Sequence, residues 1–152
     1  MKKTLLIASL LMISSCYAWK IINTEQYIKE TQAHLNEESL KLQETVDARL
    51  PVSSQARPGK VQKKLLERVN FTWPVFIIGD DVLSYRWLKE HAQELEAAHA
   101  LGFVANIADS KHLDTLQQLT KAPLIPANVD DLMAIFSEDH YPLAFHEGEL
   151  WQ

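Results

Sequence analysis

Cysteine is nearly absent from this chain of 152 residues: Cys16 is the only one. It lies in the N-terminal stretch, so the body of the protein has no thiol for a disulfide or for redox exchange. Positive charge is also short, with 15 Lys and Arg against 20 Asp and Glu and a formal charge of −5. Without a net positive field to attract phosphates, a nucleic-acid binder is excluded. Glycine numbers four, and there is no Gly-rich phosphate loop, Ser nucleophile elbow or zinc-spaced His pair. His91 and His99 stand eight apart, too far for ligands at i and i+4. The longest apolar run, Leu5 to Ile13, falls well below the roughly 20 residues a spanning helix needs.

That run has a different use. Lys2 and Lys3 precede it, and Cys16-Tyr17-Ala18 puts small residues at the two positions a signal peptidase reads. Residues 1–18 are therefore expected to form a secretory signal, which places the mature protein in the periplasm. Ile13-Ser14-Ser15-Cys16 also has the form of a bacterial lipobox, in which Cys16 would be acylated and become the new N-terminus. Both readings stand, and in the second the membrane is reached only through a lipid on Cys16. Cleavage after Ala18 removes Lys2 and Lys3 and leaves 13 basic against 20 acidic residues, a net charge of −7.

What the chain does have is Trp73-Pro74-Val75-Phe76-Ile77-Ile78-Gly79-Asp80-Asp81. Four consecutive large apolar residues read as a short strand buried on both faces. Gly79 breaks it and Asp81 can cap a helix from about Val82 to Leu101, with Gly102 ending that helix. The turn after a central strand is the usual place for a site in α/β folds, so Gly79, Asp80 and Asp81 form the first candidate surface. Phe103 to Ala108 reads as a second strand and Lys111 to Thr120 as a helix with Leu113, Leu116 and Leu119 inward. Pro123 to Pro126 is a short extended piece. Asn128 is expected to cap a helix carrying Leu132, Ile135 and Phe136. Tyr141 to Phe145 and Leu150-Trp151 pair as a hairpin across Glu147-Gly148.

Ahead of this body, residues 19–50 are expected to be helical, without Gly or Pro from Asn23 to Arg49. Ile21, Ile28, Leu35 and Leu42 give one apolar line along a polar rod, either a solvated helix or one that docks a partner. Residues 51–60, with two prolines and a glycine, are expected to be a linker, and residues 61–152 the folded domain. Lys60, Lys63, Lys64 and Arg68 form a sparse basic cluster of the solvated kind. Asn70-Phe71-Thr72 matches a glycosylation sequon by chance. Trp87, Tyr141 and Trp151 either form an exposed aromatic patch or pack in the core.

The order β-α-β-α, a short helix and a hairpin implies an α/β fold: a mixed sheet with flanking helices, preceded by an N-terminal helix. It is the thioredoxin-like plan without its last helix. Thioredoxin-like proteins place a cis-proline before the third core strand, and His140-Tyr141-Pro142-Leu143 sits at that place. Their Cys-x-x-Cys would begin the first helix, where this chain has Gly79-Asp80-Asp81. The chain more specifically resembles a family of exported integrating conjugative element proteins encoded with type IV secretion machinery. The resemblance rests on Arg57 to Val61, Pro74 to Asp81, Ser84 to Leu88, Gly102 to Asn106, Asp130-Asp131-Leu132 and His140-Tyr141-Pro142. It departs at Ala144-Phe145-His146, less uniformly branched than that family's last strands. The family is similar to the thioredoxin-like pilin-assembly protein of F-type conjugation systems.

The resemblance implies a non-catalytic component of a conjugative transfer apparatus, with no cofactor and with other proteins of the secretion machinery as partners. Gly79, Asp80, Asp81, Trp87, His140, Tyr141 and Pro142 would form its partner-binding edge, and no metal is expected. The alternative is a periplasmic metal-dependent hydrolase using Asp80, Asp81 and His140, since oxygen and imidazole ligands suit several divalent ions. A helix N-terminus, however, already accounts for acidic residues at that turn.

Overall fold

The computed structural model describes residues 24–69 and 71–152; the signal, Cys16, Ile21 and Asn70 of the sequon lie outside them. The chain divides into two compact units, Met1–Glu37 and Glu38–Gln152. Its elements in order are α1 (Thr24–Asp47), β1 (Arg57–Pro58), β2 (Lys64–Leu65), β3 (Val75–Ile78), α2 (Val82–Ala97) and β4 (Leu101–Val104). They continue with α3 (Ser110–Gln117), β5 (Leu124–Pro126), α4 (Asp130–Phe136), β6 (His140–Tyr141), β7 (Leu143–His146) and β8 (Glu149–Trp151).

Six strands form one open mixed sheet in the order β2-β8-β7-β3-β4-β5. β3, β4 and β5 run parallel, joined by helical crossovers, while β7 lies antiparallel to β3 and closes a hairpin with β8. This is the expected plan of two parallel strands and a terminal hairpin around a central first strand. β1 and β6 make a separate parallel pair.

The run Val75-Phe76-Ile77-Ile78 is apolar throughout because β3 is covered on both faces. Phe76 and Ile78 point to one side, where they meet Trp87, Leu88 and Leu95 of α2 and Leu113 and Leu116 of α3. Val75 and Ile77 point to the other, against Met133 and Phe136 of α4 with Leu143, Phe145 and Leu150. Period-two alternation thus divides one strand between two cores. Phe76, Ile77 and Ile78 are fully buried, each contributing about 1.5–3 kcal/mol of hydrophobic stabilisation.

Gly102 does not end α2. The helix stops at Ala97, with His99 taking the left-handed conformation at φ 53°. Gly102 lies inside β4 directly opposite Phe76, where a Cβ would overlap the Phe76 ring and Leu124. The glycine is there because two large side chains fill the space a side chain would need. Likewise Asn128 is not the N-cap of α4. Val129 is, without a side-chain bond; Asn128 stands one residue before it, and its Oδ1 accepts from the Asp130 amide. In that helix Met133 and Phe136 are buried and Ile135 is exposed.

The expected linker is built into the second unit. Val52 forms a bridge to Ile107, Ala56 and Val61 are buried, and Arg57–Pro58 pairs with His140–Tyr141. Before it, Val46 and Leu50 pack on the core face of α2 and α3. The apolar line of α1 remains at the surface, with Ile28, Leu35 and Leu42 all more than half exposed (56%, 56% and 68%). No described helix is long and apolar enough to cross a membrane.

Candidate functional site

The turn after β3 is held by a short network. Asp81 accepts the Ser84 amide through Oδ1 at 3.0 Å and the Ser84 hydroxyl through Oδ2 at 2.8 Å, capping α2 as its position predicts. Ser84 Oγ in turn accepts the Gly79 amide at 2.9 Å. Asp81 therefore ties the turn to the helix through both of its oxygens. Asp80 faces elsewhere: it accepts from the Tyr85 hydroxyl at 3.2 Å, and its other oxygen lies 3.1 Å from His112 Nδ1 at the start of α3. The Asp80 amide donates to the Asn106 carbonyl, fixing the turn to the chain leaving β4.

Tyr141-Pro142 reaches this turn, and the bond between them is cis, as the resemblance implies. The Tyr141 ring lies so close over Gly79 that a Cβ there would overlap it. Its hydroxyl accepts from Asn106 Nδ2 at 3.2 Å. Burial pushes the Tyr141 phenol above its ordinary pKa of 10; the Asn106 bond opposes this, and the charges of Asp81 and Asp80 add to it. Tyr85 is also raised, by burial and by Asp80.

Beside this junction opens a cleft of about 890 Å³. One wall is the Ser54 to Pro58 segment. The other carries Met133 and Ala134 of α4 with Glu138, Asp139 and His140, and Asp81, Asn106 and Tyr141 form the end. Glu138, Asp139 and His140 are the one group of three His, Cys, Asp or Glu among the described residues whose ligand atoms all lie within 4.8 Å of one another. Lys64 Nζ already stands 3.3 Å from Glu138 Oε2 and donates to the Ser137 carbonyl.

Of the expected partner-binding residues, the structure gathers Gly79, Asp80, Asp81, His140, Tyr141 and Pro142 about one junction. Gly79, Tyr141 and Pro142 are buried there as framework, while Asp80, Asp81 and His140 reach solvent. Trp87 is a correction: it lies 5% exposed in the α2 core, its ring 5.7 Å from Trp151 and 4.9 Å from His91. An amphipathic helix turns that position inward, so Trp87 offers no docking surface. Its Nε1 is buried without a hydrogen-bond partner among the described residues. The hydrolase triad does not assemble either. Asp80 is engaged by His112, Asp81 by the helix cap, and His140 by Asp139 and Glu138.

Asn106, Asp130, Glu138 and Asp139 were not expected at the site from the sequence. Asn106 carried a signal, as a lone amide closing an apolar run at the carboxyl end of the second parallel strand, where α/β ligands bind. None of the curated proteins and none of the solved structures matches the chain. The family model described as "Protein of unknown function (DUF2859)" matches residues 14–148, and the chain belongs to that family.

Proposed function

We propose that the chain is a non-catalytic, exported component of the conjugative transfer (type IV secretion) apparatus of an integrating conjugative element, acting as a protein-interaction module in its assembly. The observation that carries this reading is the junction of Gly79-Asp80-Asp81 with Tyr141-Pro142 beside an open cleft. A thioredoxin-like plan has two acids, one of them capping the helix, where a redox pair would stand, so the position that would attack a disulfide instead supports a binding surface. The ordered motifs from Arg57 to Pro142 and the signal-like N-terminus support the same reading. Its partners are other proteins of the secretion machinery, met in the periplasm, with Cys16 as a lipid anchor if the lipobox is used.

The test changes the cleft without touching its frame. Asp139 is 84% exposed in its side chain and His140 41%, whereas Asp81 and Tyr141 hold the turn together. Donor cells carrying Asp139→Lys with His140→Ala should transfer the element much less often while the purified variant keeps its thermal midpoint. Normal transfer by those donors overturns the reading.

A further inference from the structure

Residues 53–61 cross the cleft region in an extended course, and the fold binds them as a peptide groove binds a peptide, through their backbone. Asn128 Nδ2 donates to the Ser53 carbonyl, and the Ser54 amide donates to Asn106 Oδ1. The Gln55 amide donates to Asp130 Oδ1, and Asn106 Nδ2 donates to the Ala56 carbonyl. The Arg57 and Gly59 amides donate to the carbonyls of Asp139 and Tyr141. Gln152 completes the set, donating to the Gly59 carbonyl and accepting from the Val61 amide. Eight backbone groups of the segment are thus met, six of them by the side chains of Asn106, Asn128, Asp130 and Gln152.

Little else holds the segment down. Only Ala56 and Val61 are buried, and Ser54 Oγ donates to the Ala105 carbonyl and accepts from the Val129 amide. The net gain from one hydrogen bond is comparable to the entropy lost in ordering one residue, so a strap built this way has little surplus stability. Along the cleft the walls carry Asp81, Asp130, Glu138 and Asp139, with Arg57 as the strap's own cation among them.

We propose that residues 53–59 are a strap occupying a peptide-recognition groove in cis, and that the groove takes an extended basic segment of a partner protein in the strap's place. The incoming segment runs parallel to β6 as β1 does, with a small residue where Ala56 sits and a cation where Arg57 sits. Main-chain bonds supply its affinity and the acidic wall its selectivity, the logic of strand addition at a sheet edge. This rests on the interaction-module reading and gives that module a partner of stated chemistry, which displaces the segment that otherwise lines one wall of the cleft.

Two measurements test it. In native-state hydrogen exchange of the unaltered protein, the amides of Ser54, Gln55, Arg57 and Gly59 should exchange at least about a hundredfold faster than those of Phe76, Ile77 and Ile78, by local opening. Exchange of both sets at one rate would mean that the strap opens only on global unfolding, and the proposal fails. The second measurement uses a fluorescent synthetic peptide copying residues 50–61. The tethered strap competes at an effective concentration on the order of millimolar, so the unaltered chain should bind this peptide weakly. Arg57→Pro in the full chain removes the amide that donates to Asp139 and should tighten peptide binding about fivefold to tenfold, one net hydrogen bond. A peptide carrying Glu at the Arg57 position should lose that gain.

Absence of binding to a folded Arg57→Pro chain, or equal binding of the Glu peptide, overturns the proposal, as does a strap-exchanged dimer that fills the groove with a second copy. If Arg57→Pro does not fold, the exchange measurement decides alone. Both measurements concern the strap, whereas the Asp139 and His140 donors report on transfer, so a failure of the strap proposal is distinguishable from a failure of the interaction-module reading.

Discussion

Replacing Tyr141 by Phe separates what its ring does from what its hydroxyl does. The ring is 3% exposed, packed over Gly79 and within the α4 core, and Phe retains that packing. The hydroxyl has one bond, from Asn106 Nδ2, and Asn106 keeps the Ala56 carbonyl when it is gone. The loss near neutral pH should therefore be one net hydrogen bond, about 1 kcal/mol. In a domain of this size that corresponds to a fall of roughly 4 °C in the midpoint of thermal unfolding.

The pH dependence carries the sharper outcome. Burial and the nearby Asp81 and Asp80 hold the Tyr141 phenol above its ordinary pKa of 10, against the Asn106 bond that favours ionisation. Above pH 10 the unfolded chain releases this proton while the folded chain still keeps it. Unfolding is then favoured as pH rises, so this contribution to stability is complete below pH 10 and is lost progressively above it. Tyr141→Phe has no such proton to lose. Tyr85, also raised, remains in both proteins and cancels in the comparison. Urea unfolding at pH 7 and at intervals above pH 10 should thus show the variant less stable at first, with the difference shrinking as pH rises. A difference that stays constant or widens with pH would refute the account of Tyr141 as a phenol held neutral by its surroundings.

Two further changes test the frame of the site. Gly102→Ala forces a methyl group against Phe76 and Leu124 in the centre of the sheet and should cost at least about 1–3 kcal/mol by overpacking, read as a lower denaturant midpoint at unchanged slope. Asp81→Ala removes the cap of α2 and the partner of the Ser84 hydroxyl and should cost about 0.5–2 kcal/mol in the same assay.

The parts of the fold legible in the sequence are those decided by near neighbours. Four apolar residues in a row indicate a strand with no polar face, and β3 has none. Asp81 followed three residues later by Ser84 is a cap that needs only its own first turn. Glu147 and Gly148 both adopt positive φ, at 49° and 82°, the conformation a tight hairpin turn requires, and the hairpin forms there. Gly102 was misread because a glycine after a helix and a glycine facing a phenylalanine look the same in one dimension. Only the register of β4 against β3 distinguishes them.

The strap shows the same limit at the site. Two prolines, a glycine and small polar residues mark a segment without a core of its own, and that composition does exclude a helix there. It says nothing about what receives the backbone. The groups that do so are Asn106, Asn128, Asp130, Asp139, Tyr141 and Gln152, from 50 to 93 residues further along the chain. They come together only once the sheet has brought the ends of β4, β5 and β8 beside β6. Buried backbone amides and carbonyls require partners, and a segment with few apolar side chains can be held only by such groups. The features that made residues 51–60 look like a linker are therefore those that let the fold hold them by the main chain. A groove that reads main chain has little means to tell its own strap from another extended segment except by the size of the residue at Ala56 and the charge at Arg57.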